Sequence, residues 1–286
     1  MLNDNIGDTG AGQPLHRDLG MFSINIALSD RNSFKGGGTF FQDFQKVYHP
    51  IGRGFGLGHL SSTRHAGAGT TDGVRDILVF FVTASPLMSV ESAMRCKGVM
   101  NSFSFSSEKC YKAAIDMNPL DSEAWQFFGT STLDSLPKVT NENLSEVIKL
   151  LEKAESLSPN DARVHNNLGL ILQKQLPFIE SNEDKSKIRS KIESHFKRAL
   201  EILEVSSSSG CDVHFEECSV RLNLGLWLSY DDKWEEVINI LRAPCLKRNG
   251  LSEQHATNTE RIKRDALGLM KFCEKKFNAL QAVVDV

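Results

Sequence analysis

A chain of 286 residues with 40% hydrophobic and 24% charged side chains has the make-up of an ordinary folded protein, with room for two modest domains. Its net charge of −3 supplies no basic field for a nucleic-acid backbone, which argues against a nucleic-acid partner. No apolar run approaches the roughly 20 residues of a membrane-spanning helix, the longest being Ile77–Val82.

The first residues, 1–13, are polar and rich in Gly, Asp and Asn, unlike a secretory signal or a transit segment, so the expected location is cytoplasmic. The texture then divides near residue 85. Before it the chain is Gly-rich, aromatic and β-branched, as in short strands; after it come long amphipathic patterns. The expected organisation is a β domain over 1–85, a linker over 86–106 and a helical-repeat domain over 107–286.

Along the first part, Phe22, Ile24, Ile26 and Leu28 alternate with small or polar residues, predicting a half-buried strand. Gly36, Gly37 and Gly38 mark a turn, and Thr39 opens another strand. Glycines at 52, 54, 56 and 58 leave one face of that segment without side chains, so either something approaches its backbone closely or it is a loop. Arg75 heads the run Ile77–Val82, which predicts a strand buried on both faces. Short strands with glycine turns point to a double-sheet jelly roll.

In the second part, Asn118-Pro119-Leu120-Asp121 recurs forty residues on as Ser158-Pro159-Asn160-Asp161. Each copy precedes a helix with matching offsets, Trp125, Phe128 and Gly129 in one, His165, Leu168 and Gly169 in the next. Arg221, Leu224 and Gly225 make a third. This is similar to a tetratricopeptide array, whose period is about 34 residues, so inserted loops are expected over 177–186 and 206–212. The glycine of each unit is expected to admit its partner helix, and a final charged helix over 252–277 to cap the array. Cysteines 96, 110, 211, 218, 245 and 273 lack metal-site spacing and read as free thiols.

Two imidazoles and one carboxylate are the ligand set of a facial Fe(II) site. His16 and Asp18, two apart, share one side of an extended segment while Arg17 points away; His65 is the candidate third ligand. Arg75 can anchor an anionic co-substrate through paired hydrogen bonds, with Ile77, Val79 and Phe81 as a dry wall. The alternative is that Arg75 pairs with Asp72 or Asp76 on the surface.

The ordered set of His16-Arg17-Asp18, residues 22–28, the glycine turn, His65 and Arg75 resembles the 2-oxoglutarate- and Fe(II)-dependent oxygenases of the procollagen lysyl and prolyl hydroxylase type. The resemblance covers residues 13–83. It implies a jelly roll, iron held by His16, Asp18 and His65, and the C5 carboxylate of 2-oxoglutarate held by Arg75. It also implies O2 as co-substrate, ascorbate as reductant and hydroxylation of a peptidyl Pro or Lys. His59 then becomes a neighbour that orients the ligands, or alternatively a strand-end histidine, and Asn25 a pocket residue. In that family several strands, and a Tyr that binds the co-substrate, come before the first ligand. Here only fifteen residues do, so the expectation is a chain incomplete at its N-terminus. The rival reading is a non-catalytic tetratricopeptide interaction protein that carries a truncated or degenerate oxygenase domain.

Overall fold

The computed structural model describes residues 12–18, 20–82, 106–134, 138–243 and 256–284. The chain divides into two units, one of residues 1–164 with 204–213, the other of residues 165–203 with 214–286. The expected linker over 86–106 lies outside the described residues, apart from Ser106 at the start of the first helix.

The strands of the first unit are β1 (Phe22–Ala27), β2 (Phe34–Gly36), β3 (Thr39–Phe41), β4 (Lys46–Tyr48), β5 (Gly56–Leu60), β6 (His65–Gly67), β7 (Thr70–Gly73) and β8 (Ile77–Val82). They pair antiparallel into three small sheets, ordered β5-β1-β8, β2-β7 and β4-β3-β6. A closed jelly roll is not formed among the described residues, which corrects the expected fold class. The physical reason is the supply of strands: most have three to five residues, and no sheet exceeds three strands.

Ile77–Val82 shows the same correction locally. Its continuous apolar run predicts burial on both faces, but β8 is the outer strand of its sheet and Phe81 is 58% exposed. β1 also differs from the simple expectation. Its alternation is real, yet the small polar side chains Ser23 and Asn25 are the buried ones, while Phe22 and Ile24 are half-buried. The glycine-rich strand β5 explains where those apolar side chains go. A Cβ on Gly58 would lie 2.7 Å from the Phe22 ring, and one on Gly56 would lie 3.0 Å from Ile24. The bare face of β5 is therefore covered by β1 side chains, which the empty glycine positions admit.

The helices are α1 (Ser106–Met117), α2 (Ser122–Asp134), α3 (Asn141–Leu157), α4 (Ala162–Gln175), α5 (Asn182–Ser208), α6 (His214–Ser229), α7 (Trp234–Leu241) and α8 (Ala256–Val284). The repeated Pro-turn motifs end in caps. Asp121 Oδ1 accepts the Glu123 amide at 3.0 Å and the Ala124 amide at 3.4 Å, and Asp161 Oδ1 accepts the Arg163 amide at 3.0 Å. Each turn thus stops one helix and starts the next.

The expected loops are shorter than their sequence suggests. A 3-10 turn fills Leu176–Phe178, Ser181 then accepts the Asp184 amide at 3.4 Å, and α5 runs 27 residues, through Ser206 and Ser207, to Ser208. Gly210, at φ +81°, makes the exit turn.

The three repeat glycines sit at helix crossings. A Cβ on Gly129 would lie 3.3 Å from Leu150 of α3, one on Gly169 would lie 2.6 Å from the Phe196 ring of α5, and one on Gly225 would lie 3.4 Å from Leu241 of α7. The matching alanines Ala114, Ala154 and Ala199 are fully buried. Small residues at these offsets set the close approach of paired helices. In the second unit, α7 packs against both α6 and α8 around Leu228, Val237 and Cys273. Cys110, Cys211, Cys218 and Cys273 are buried thiols. No helix among the described residues is long and apolar enough to cross a membrane.

Candidate metal centre

His16 lies on an extended segment that bridges antiparallel to His65 at the start of β6, with His16 N–H donating to the His65 carbonyl at 2.8 Å and His65 N–H returning the bond at 2.9 Å. This pairing puts the two imidazoles side by side, ring centres 4.5 Å apart. Asp18 follows two residues after His16 and completes the set: ligand atoms of His16, Asp18 and His65 all lie within 4.8 Å of one another. His16 Nε2 is 3.6 Å from Asp18 Oδ1 and His65 Nε2 is 3.5 Å from Asp18 Oδ2. An ion about 2.1 Å from two ligands at right angles holds them about 3 Å apart, so small side-chain shifts suffice.

Each group is prepared for that role by a neighbour. His16 Nδ1 donates to the Pro14 carbonyl at 2.8 Å and His65 Nδ1 to the Thr63 carbonyl at 2.9 Å. Those bonds put the proton on Nδ1 and leave Nε2 with its lone pair. Ser23 donates to Asp18 Oδ2 at 2.5 Å and lies 3.0 Å from the Ser61 hydroxyl. Burial, helped by the nearby His59 and His16, pushes His65 down to about 4, against the opposing pull of its Thr63 bond and of Asp18. His65 is therefore neutral at pH 7, the form that ligates. The donor set fits a first-row divalent ion.

The residues beside the ligands point the other way and grip the helical caps. Arg17, between His16 and Asp18, donates to Asp121 Oδ1 at 2.9 Å and to Ser122 at 3.1 Å. Arg64, directly before His65, donates to Gln42 Oε1 at 2.9 Å and to Asp161 Oδ1 at 3.0 Å. Arg163 holds Asp161 Oδ2 at 2.9 Å and Glu123 at 2.9 Å, closing the network. Burial alone would raise the Asp161 carboxyl, but Arg163 and Arg64 overcome it and hold it well below the usual range.

The other candidates fall as follows. His59 is buried with its ring centre 4.2 Å from that of His65, its Nδ1 meeting the Leu60 carbonyl at 3.0 Å. Asn25 shares the buried face of β1 with Ser23 and donates to Thr39 at 3.2 Å. Arg75 lines a cleft with Arg31 and His49, whose walls include none of the three candidate ligands. It pairs with neither Asp72 nor Asp76: Lys35 takes Asp72 at 3.1 Å, and Ser29 bonds to Asp76. Ile77 lines that cleft, but Val79 and Phe81 are exposed and make no dry wall. Arg17, Arg64, Ser23, Arg31 and His49 are the residues that sequence reasoning passed over. For Arg17 a partial signal existed, since it faces away from His16 and Asp18, but its partner and that of Arg64 lie 104 and 97 residues away.

No family model matches the chain, and no curated protein matches it. Among solved structures it is similar to MamA. One MamA structure is 14% identical over 67% of this chain and 86% of its own, at a TM-score of 0.37; a second is 14% identical over 68% and 98%, at 0.36. The resemblance to lysyl and prolyl hydroxylases is corrected by these findings. No family model or curated protein supports it, and among the described residues the strands make small separate sheets where that resemblance requires a jelly roll. The assignments as an enzyme, an oxidoreductase and a dioxygenase fall with it. What stands is a helical-repeat chain with small antiparallel sheets.

Proposed function

We propose that this chain is a non-catalytic protein-binding scaffold of tetratricopeptide-like repeats whose β-rich portion takes up a divalent metal ion, Fe(II) by its ligand set. One observation carries the reading. Ligands and braces alternate along the same short segments: His16 and Asp18 face a common point while Arg17 grips the α2 cap, and His65 does so while Arg64 grips the α4 cap.

When bound, the ion would add a cross-link between two segments that are already joined by backbone bonds, those of the His16–His65 bridge and those from Gln13 N–H to Gly67 and Asp18 N–H to Ser61. Ser23 and the Pro14 and Thr63 carbonyls orient the donors, and the arginines carry the resulting register to the first two repeat turns. The repeats themselves would bind a protein or peptide, which is supported by paired helices closing at Gly129, Gly169 and Gly225.

Anaerobic Fe(II) titration of the full chain, followed by thermal melting, tests the reading. One equivalent bound and a stability gain of about 2.7 kcal/mol at hundredfold excess over Kd are expected, both lost in His65→Ala and Asp18→Ala. Wild-type protein that binds no ion, or variants that bind as well as wild type, would end it.

A further inference from the structure

We propose that His165 and His195, which meet at the crossing of α4 and α5, form a separate site for a divalent transition-metal ion that imidazole favours, such as Zn(II). Both histidines belong to the second unit. His16, Asp18 and His65 take no part in it, so the proposal stands or falls apart from the metal centre described above.

The helix crossing builds the pair. His165 lies four residues before Gly169 on α4, which puts the two on one face of the helix. The bare Gly169 position admits the Phe196 ring of α5, which would lie 2.6 Å from a Cβ there. His195 directly precedes Phe196 and arrives with it. The Nδ1 atoms of His165 and His195 are 3.3 Å apart, and the ring centres are 5.6 Å apart. His165 is 5% exposed and His195 half-buried.

The other repeats show that this crossing does not itself require histidine. Four residues before the repeat glycine stand Trp125 in the first copy and Arg221 in the third. The glycine of the first copy meets Leu151 and that of the third meets Leu241; the residues just before these are Leu150 and Ile240. The two positions that hold imidazoles in the middle copy are therefore filled by Trp125 with Leu150, and by Arg221 with Ile240, where the same helix pairing is made. Packing alone does not account for two titratable rings set face to face. Burial, with His165 and Lys191 adding to it, pushes His195 down to about 4, so the ring is neutral at pH 7 and has a lone pair to give.

The spacing suits an ion. Zinc about 2.0–2.1 Å from two imidazole nitrogens at the tetrahedral angle holds those nitrogens about 3.3 Å apart, the separation already present. The ring centres are farther apart than the nitrogens by about two ring radii, so in the metal-free chain the nitrogens face head on, one donating its proton to the other. Each ring swings by about 35° for the lone pairs to converge on an ion beside that line. The donor ring then carries its proton on Nε2, both imidazoles stay neutral, and water completes the coordination.

Calorimetric titration of the EDTA-treated full chain with Zn(II) tests this, in an Asp18→Ala, His65→Ala background so that the first centre does not compete. One equivalent bound is expected. His165→Gln and His195→Gln should each weaken it about tenfold or more, while His49→Gln, outside the site, should leave it unchanged. His195 is only half-buried, so its variant carries the test if His165→Gln does not fold. A second measurement needs no substitution: imidazole nitrogen NMR of the wild-type chain should show zinc moving the Nδ1 signals of His165 and His195 together. No binding in the double-variant background, binding undiminished by His195→Gln, or Nδ1 signals that zinc leaves in place would each overturn the proposal. None of these results bears on the Fe(II) titration of the wild-type chain, so the two sites fail independently.

Discussion

Replacing Arg64 with Met keeps the aliphatic stem and deletes the guanidinium, which isolates what the brace contributes. Arg64 is 3% exposed and Asp161 fully buried. Breaking a buried ion pair on one side costs about 3–5 kcal/mol, because the remaining charge is stranded. Asp161 is not stranded completely. It keeps Arg163 at 2.9 Å and the Arg163 amide at 3.0 Å, so the lower end applies, although Gln42 Oε1 also loses the Arg64 guanidinium as a donor. A loss of about 3 kcal/mol corresponds to a fall in Tm of about 6–12 °C for a unit of this size. Chemical denaturation of Arg64→Met, Asp161→Asn and the double variant gives the cycle. The double variant should lose clearly less than the sum of the singles, because neither charge is then left alone. Arg64→Met within 1 kcal/mol of wild type, or additive losses across the cycle, would refute the view that the β-rich portion is braced to the repeat caps by this pair.

Gly169→Ala and Gly268→Ala should change stability in opposite directions. The first drives a Cβ to within 2.6 Å of the Phe196 ring, whereas the second meets nothing within 4 Å, so overpacking should cost about 1–3 kcal/mol in one and helix propensity add about 1 kcal/mol in the other; equal shifts in urea midpoint would contradict the assigned helix crossing. His195, pushed down to about 4 by burial and by His165 and Lys191, lies with its Nδ1 3.3 Å from that of His165. Its folded pKa is below its unfolded value of 6.5, so the unfolded chain binds the extra proton, and the stability is complete above pH 6.5 and lost as pH falls toward 4. Denaturation midpoints of wild type and His195→Asn between those limits should converge as pH falls, and parallel curves would contradict the assignment.

Local patterns were the legible part of this chain. The repeat turns, the glycines at helix crossings and the placement of His16 and Asp18 on one side of their segment follow from offsets within short stretches. His65 comes from far along the chain, and it is the bridge between His16 and His65 that brings the three side chains together. The alternation in residues 22–27 correctly divided β1 into two faces. It could not say which face is covered, because that depends on where Asp18, Ser61 and Thr39 arrive from elsewhere. The same limit explains Ile77–Val82. An apolar run records what a strand tolerates, and β8 lies at a sheet edge where that hydrophobicity stays half exposed. Arg17 with Asp121 and Arg64 with Asp161 are 104 and 97 residues apart, and no local signature pairs them. The cleft at Arg75 was equally hidden, since its partners Arg31 and His49 come from two other segments.

The alternation of ligands and braces has a consequence that neither set has alone. Consecutive Cα atoms are about 3.8 Å apart, so Arg17 cannot shift by much without moving His16 and Asp18, nor Arg64 without moving His65. Distortion of the brace at Asp121 or Asp161 is thereby transmitted to the positions of all three candidate ligands. Linkage makes the effect reciprocal. An ion that favours the braced register stabilises the caps of α2 and α4, and substitutions that loosen those caps weaken the ion by the same free energy. The two helix starts involved are the ones whose Asp residues the sequence repeats, at 121 and 161. Capping and bracing therefore fall on the same carboxyl groups: Asp121 Oδ1 accepts both backbone amides and the Arg17 guanidinium, and Asp161 Oδ1 accepts the Arg163 amide and the Arg64 guanidinium. A neutral Asn at either position can still cap a helix but offers no charge to the arginine. For this reason the repeat turn keeps its helix start and loses its hold on the ligand segments when Asp becomes Asn.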